Sequence, residues 1–250
     1  MENQKLFQSP METPRFPIPV TWLKETDSTQ SAAKAALLAG ALTAPHLVVA
    51  ERQTAGRGRL GRNFFSPQGG LYMTLVLERP PLDTLHLITP AAAVAVCRAI
   101  AETCGIECGI KWVNDLEVDG KKVCGILTEA VGEHIFIGIG INLWPEDSFP
   151  DELEPHAATL LDAPRENLRE ALAAAICRVL VPLLAAPPAF LDEYRARSVL
   201  LDRPITVHTP DGQYPATALN IDDRARLIVE DARGQRHPLA TGEVSVRLQK

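Results

Sequence analysis

Between Glu51 and Arg62 the chain reads ERQTAGRGRLGR, which sets Arg52, Arg57, Arg59 and Arg62 against a single acid, Glu51. A loop with that charge excess attracts an anion. Gly56, Gly58 and Gly61 allow positive φ and close approach of the backbone, so N–H groups and guanidinium forks can converge on one phosphate or carboxylate. The segment is read as neither a GxxxxGK[ST] phosphate loop nor a GxGxxG loop, Arg62 being taken to stand in place of the last glycine, and no helix obviously follows it. A solvated basic turn would show the same composition. The second stretch, Lys111-Trp112-Val113-Asn114-Asp115, puts an ammonium at the end of an apolar strand. A lysine there is costly to bury without a negative partner, and a bound phosphate or carboxylate beside the arginine loop would supply one. Asn114 and Asp115 suit a chain turn or a divalent cation. Alone, the motif also describes a strand end with a snorkelling lysine; paired with the arginine loop it describes a composite anion site. Ser28 and Thr29 read first as helix caps, Gly138–Asn142 as a strand of small residues beside a packed helix, and Cys124 as a buried strand thiol.

The elements that must position these residues follow from periodicity. Val20–Leu23 reads as a strand, Thr26–Thr29 caps a helix over Gln30–Leu38 that Gly40 stops, and His46–Ala50 is a continuous apolar strand. A polar, glycine-rich loop from Arg52 to Gly70 leads to the strand Leu71–Leu77, and Thr89–Glu102 is an alanine-rich helix. Gly109–Val113, Leu116–Val118, Lys122–Val131 and His134–Asn142 read as strands, the last three joined by turns at Asp119-Gly120 and Gly132-Glu133. An acidic, Pro-containing surface loop or lid spans Leu143–Ala158, and helices follow near Arg165–Leu184 and Ala189–Ser198. Beyond Leu201 short strands separated by Pro210-Asp211-Gly212, Asp222-Asp223 and Arg233-Gly234 form a small β-barrel of SH3-like size. The alternation before it predicts an α+β or α/β unit with a mixed sheet, and the boundaries fall at 15–199 and 200–250.

Composition narrows the function classes. The 250 residues are 46% hydrophobic, and 25 basic residues against 31 acidic ones give a formal charge of −6, so a dedicated nucleic-acid binder is disfavoured. No apolar run approaches a membrane span and the N-terminus lacks an apolar signal core, which predicts a cytoplasmic protein. Five cysteines without a CxxC pair argue against a disulfide framework or zinc site, and no structural metal is expected.

The motifs resemble those of the biotin–protein ligases, also called biotin–[acetyl-CoA-carboxylase] ligases. The likeness runs through TDSTQ at Thr26–Gln30, ERQTAGRGRLGR at Glu51–Arg62, FFSPQGGLYMT at Phe64–Thr74, KWVNDLEVDGKKVCGIL at Lys111–Leu127, GIGIN at Gly138–Asn142 and GEVSVR at Gly242–Arg247. The resemblance implies an α+β fold, a class II aminoacyl-tRNA-synthetase-like mixed sheet with helices, followed by a C-terminal SH3-like barrel. It implies that Ser28, Thr29, Gln30, Gln53, Arg57, Gly58, Arg59 and Lys111 surround biotin and the acyl-adenylate phosphate. Phe64, Lys111 and Asn142 would contact the nucleotide, Phe64 standing where many members have a tryptophan. Arg57, Arg59, Lys111 and Asp115 would be catalytic, with Lys122 near the reaction centre. Val113 replaces the usual proline of KWPND, which is expected to loosen the backbone there. The acidic loop at 144–156 has a counterpart in some members that orders over the adenylate.

The implied reaction joins biotin and Mg-ATP into biotinyl-5′-AMP, then transfers biotin to a lysine on the biotin carboxyl carrier domain of acetyl-CoA carboxylase or another biotin-dependent carboxylase. Arg57, Arg59 and Lys111 with Mg²⁺ would neutralise charge on the phosphoryl oxygens. No winged helix-turn-helix fits before Val20, so DNA binding is not expected; a homodimer remains open. Two other readings share these residues: a lipoate–protein ligase or octanoyltransferase, and a non-catalytic biotin-sensing regulator.

Overall fold

The computed structural model describes residues 16–146, 148–185, 189–240 and 245–248. The expected start of the first unit at residue 15 and residues 242–244 of the GEVSVR motif lie outside them. The larger sheet has seven strands in the order β1-β2-β3-β7-β6-β5-β4. They are β1 Val20–Thr26, β2 His46–Gln53, β3 Gly70–Glu78, β4 Gly109–Lys111, β5 Asp115–Val118, β6 Lys121–Val131 and β7 His134–Asn142. β1 and β2 run parallel, and every other neighbouring pair is antiparallel.

Side-chain alternation decides the layering. Along β7, Ile135, Ile137, Ile139 and Ile141 enter the main core, whereas Phe136 joins a separate cluster with Ala33, Leu42, Val48 and Val76. That second cluster lies beneath helix α1, Thr29–Leu38, so α1 covers one face of the sheet. Ser28 caps it, its hydroxyl oxygen accepting from Ser31 N at 3.5 Å. The opposite face carries α2, Ile88–Cys104, and α3, Leu168–Ala185, while α4, Leu191–Ala196, packs on α2. Gly138 and Gly140 share Phe136's face by alternation, and beyond α1 they leave it uncovered.

Leu82–Cys104 is long and apolar enough by length and composition to cross a membrane, contrary to the sequence expectation. Its apolar residues Ile88, Ala91–Val96 and Ile100 are buried in the core, the placement of a central helix.

The remaining strands, β8 Arg203–Thr209, β9 Gly212–Ile221, β10 Leu227–Asp231, β11 Arg236–Leu239 and β12 Ser245–Leu248, form a five-stranded antiparallel sheet in the order β11-β10-β9-β8-β12. This is the small β unit expected at the C-terminus, and the α+β class stands. It docks where the KWVND motif turns: Trp112 Nε1 donates to Ala225 O at 2.9 Å, and Arg195 Nε donates to Ile221 O at 2.7 Å. The main-core side chains of the large sheet and the inward apolar side chains of the small one belong to one continuous cluster.

Candidate active site

A cavity of about 1020 Å³ opens on the sheet face beyond α1. Its floor exists because Gly125, Gly138 and Gly140 have no side chains. A Cβ on Gly140 would lie 2.6 Å from the Phe64 ring, and one on Gly125 would lie 2.8 Å from the same ring. Phe64 thus rests on the glycine floor, edge-on to Tyr72, with Lys122 Nζ 5.6 Å above its ring centroid.

One wall is a polar network at the start of α1. Gln53 Oε1 accepts from Thr29 N at 2.9 Å and Thr29 Oγ1 at 3.1 Å, and Thr74 Oγ1 donates to Thr29 Oγ1 at 2.9 Å. Gln53 Nε2 donates to Ser66 Oγ at 3.0 Å, and Ser66 in turn donates to Phe64 O at 2.8 Å. Gln30 Nε2 reaches Leu127 O at 3.0 Å and Phe136 O at 3.2 Å, satisfying buried strand carbonyls with a side-chain amide. Ser66 and Thr74 are buried members of this network that sequence reasoning missed. Ser66 lies in the loop ahead of β3 and Thr74 within that strand; both fall in the FFSPQGGLYMT stretch of the likeness, where no role had been assigned to them.

The arginine loop closes on itself. Gly58 N donates to Arg62 O at 2.7 Å, Phe64 N donates to Gly56 O at 2.9 Å, and Arg57 and Asn63 form an isolated bridge. Leu60 and Gly61 turn the chain at φ 57° and 72°. Contrary to the sequence reading, Gly56, Gly58 and Gly61 do have G-x-G-x-x-G spacing, yet they return the chain as a hairpin with a 3₁₀ turn, so the segment presents side chains rather than a helix terminus. Gly56 is obligatory: a Cβ there would lie 2.5 Å from both Phe64 O and Ser66 Oγ. Arg59 Nη1 donates to Asn114 Oδ1 at 3.1 Å, and burial lowers the guanidinium pKa while nearby Asp115 opposes that shift.

Asn114 is the clasp of the site. Its Nδ2 donates to Ile126 O at 3.0 Å and to Asp115 Oδ1 at 3.1 Å, joining the KWVND turn to β6 and the arginine loop. The Trp112–Val113 peptide is cis, and Tyr194 Oη donates to Val113 O at 3.1 Å. Lys111, expected to meet its negative partner in a ligand, has one within the chain. Its Nζ lies 3.0 Å from Oε1 of buried Glu117. Lys122 Nζ pairs in the same way with Asp115 at 2.6 Å. Both carboxylates line the cavity, so the two ammonium groups are held there already compensated.

Ser28, Thr29, Gln30, Gln53, Arg57, Gly58, Arg59, Phe64, Lys111 and Asp115 all line this one cavity. Asn142 does not. It shares the glycine face, but the lid returns across it: Asn142 Nδ2 donates to Ala158 O at 3.1 Å, and Leu160 N donates to Asn142 O at 3.0 Å. The lid is tied to β6 by Lys122 N to His156 O at 2.8 Å, which brings Glu152, Leu153 and His156 to the cavity. Among the described residues no group of three or more His, Cys, Asp or Glu side chains gathers as a metal cluster.

A mixed sheet with a glycine floor, a polar wall and six Lys or Arg side chains lining the cavity, Arg57, Arg59, Arg62, Lys111, Lys122 and Arg203, defines an α+β protein with an extended polar cleft. The chain belongs to the biotin/lipoate A/B protein ligase family, whose model matches residues 22–142. It is 34% identical over 233 residues to the biotin–[acetyl-CoA-carboxylase] ligase of Paracoccus denitrificans, covering 85% of this chain and 95% of that one. It is 37% identical over 206 residues to the bifunctional ligase/repressor BirA of Bacillus subtilis, covering 75% of this chain but only 62% of that longer protein. The biotin protein ligase of Aquifex aeolicus, solved in complex with biotin and ATP, superposes with a TM-score of 0.77 at 27% identity, covering 92% of this chain and 99% of that one.

Proposed function

We propose that the chain is an ATP-dependent ligase that forms biotinyl-5′-AMP and transfers biotin to a lysine of a biotin carboxyl carrier domain. One observation carries the reading: Arg57, Arg59, Lys111 and Lys122 meet in the cavity that the Thr29–Gln53 network closes at its other end. Its size, at the upper end of small-molecule sites, leaves room for an acid and a nucleotide together. In the first half-reaction a biotin carboxylate oxygen bonds to the α-phosphorus and pyrophosphate leaves. Two anions meet there, and Arg57 and Arg59 from the arginine loop with Lys111 from β4 oppose their repulsion. Loss of one such contact typically lowers rate by about a hundredfold to a thousandfold. In the second half-reaction the acceptor amine attacks the acyl carbon, loses a proton and releases AMP. Phe64, lying on the floor, offers an aromatic face to the adenine.

Mg²⁺ is expected to accompany ATP, drawing most of its ligands from phosphate and water, and Asp115, which lines the cavity beside Lys122, would be a carboxylate able to share it. Bound there, it would supply further charge to the phosphoryl oxygens. We place the reaction in the cytoplasm, with acetyl-CoA carboxylase as the acceptor's source, in keeping with the name of the Paracoccus relative.

The test is exchange of labelled pyrophosphate into ATP with biotin, with lipoate and with neither. Biotin-dependent exchange is expected. Exchange with lipoate alone would assign a lipoate ligase, and no exchange with either acid would leave a binding protein.

A further inference from the structure

Arg203 opens β8 in the small sheet, yet it lines the cavity formed by the large one. Residues 197–199 run beside β4, with Ile110 N donating to Arg197 O at 2.7 Å and Val199 N to Ile110 O at 3.0 Å. The chain then turns through Asp202 at φ 58°. Arg203 is therefore fixed to the strand end that carries Lys111, and the Trp112–Ala225 hydrogen bond holds the two sheets in that relation. Lys111 and Lys122 are matched by Glu117 and Asp115, whereas no carboxylate among the described residues lies within ion-pair distance of Arg203. Its guanidinium makes one long hydrogen bond, Nη1 to Val199 O at 3.4 Å. A guanidinium with its fork uncommitted suits an oxyanion.

The direction of the cavity says which one. From Gln53 at the end of β2 to Lys111 at the end of β4 the sheet crosses five strand spacings, roughly 24 Å at about 4.8 Å each. If the acid occupies the neutral, polar end at Thr29 and Gln53, its carboxylate approaches the α-phosphorus from that side. In-line displacement then requires the leaving group to depart on the opposite side, toward β4 and the small sheet. We propose that Arg203 binds the β- and γ-phosphates of ATP and the pyrophosphate they become. The P–O bond between the α-phosphorus and the bridging oxygen breaks, that oxygen carries the electron pair away, and Arg203 meets the charge gained by the leaving group. This assignment rests on the ligase reading above and adds a nucleotide contact from the small sheet.

Pyrophosphate exchange of the full chain tests it, using inorganic pyrophosphate as the probe. Arg203→Ala is expected to raise the KM for pyrophosphate and for ATP by roughly tenfold or more, as for loss of one charge-assisted pair, while the KM for biotin moves less than about twofold. Arg203→Lys, which keeps the charge without the fork, should fall between. A pyrophosphate KM unchanged in both variants, with thermal midpoints equal to the parent's, overturns the role of Arg203. So does a defect confined to transfer onto the carrier domain, which would make Arg203 a carrier contact. If the parent chain itself shows no biotin-dependent exchange, the ligase reading fails first and this assignment falls with it.

Discussion

The two lysines of the site are not spare charges waiting for a ligand. Lys111 is held by Glu117 and Lys122 by Asp115, each within ion-pair distance. Replacing one member of a buried pair leaves the other uncompensated, which costs several kcal/mol in a dry interior and less here because Lys111 keeps about a quarter of its surface. Lys111→Ala is therefore expected to lower both stability and adenylate formation, the latter by about a hundredfold or more. The double variant Lys111→Ala/Glu117→Ala separates the effects: urea unfolding should recover toward the parent while pyrophosphate exchange stays low. Recovery of exchange in the double variant would show that Lys111 serves only to balance Glu117.

Among elements, β7 does the most with the least. Its alternation sends four isoleucines into the core and leaves Gly138 and Gly140 facing the cavity, where Phe64 lies on Gly140. Gly140→Ala should push the Phe64 ring off the floor, costing about 1–3 kcal/mol in stability as overpacking does and weakening nucleotide affinity. Adding Phe64→Ala removes the clash, so stability, measured by thermal unfolding, should then improve over Gly140→Ala alone. The KWVND turn is the second decisive element because it anchors the small sheet. Trp112→Phe leaves the buried Ala225 carbonyl without its donor, an expected loss of about 1–3 kcal/mol. Urea midpoints for the two proteins would check it, and equal values would mean that the sheets are held by apolar contact alone. These elements were largely legible in advance, since hydrophobic periodicity and turn residues are local signals. Their ends were less so: β2 runs on to Gln53 because it pairs with β1 up to Thr26↔Gln53, and β4 stops at Lys111 because its pairing with β5 ends at Lys111↔Asp115.

For the whole molecule, burial sets the chemistry of the cysteines. Cys97, Cys108, Cys124 and Cys177 are buried, and burial pushes the thiols of Cys97, Cys108 and Cys177 up to about 12, with Cys124 also raised well above its ordinary value. Deprotonation is thus disfavoured at pH 8, where only a thiolate reacts. A thiol-disulfide reagent should label Cys104 alone quickly in the native protein, and all five cysteines after denaturation; rapid native labelling of Cys124 would mean that the sheet opens beneath the site. Composition and spacing within short stretches were enough for most strands and helices, a unit with a mixed sheet, and the arginine loop paired with the lysine strand; most of the other residues that share the cavity came from the resemblance to biotin–protein ligases. Only the tertiary structure decided that Glu117 compensates Lys111, that Asn114 clasps the loop to β6, that the lid closes over Asn142, and that Arg203 reaches the cleft from another sheet. Those outcomes depend on distances between residues remote in the chain, and an electrostatic or hydrogen-bonding partner is defined by such distances rather than by residue type.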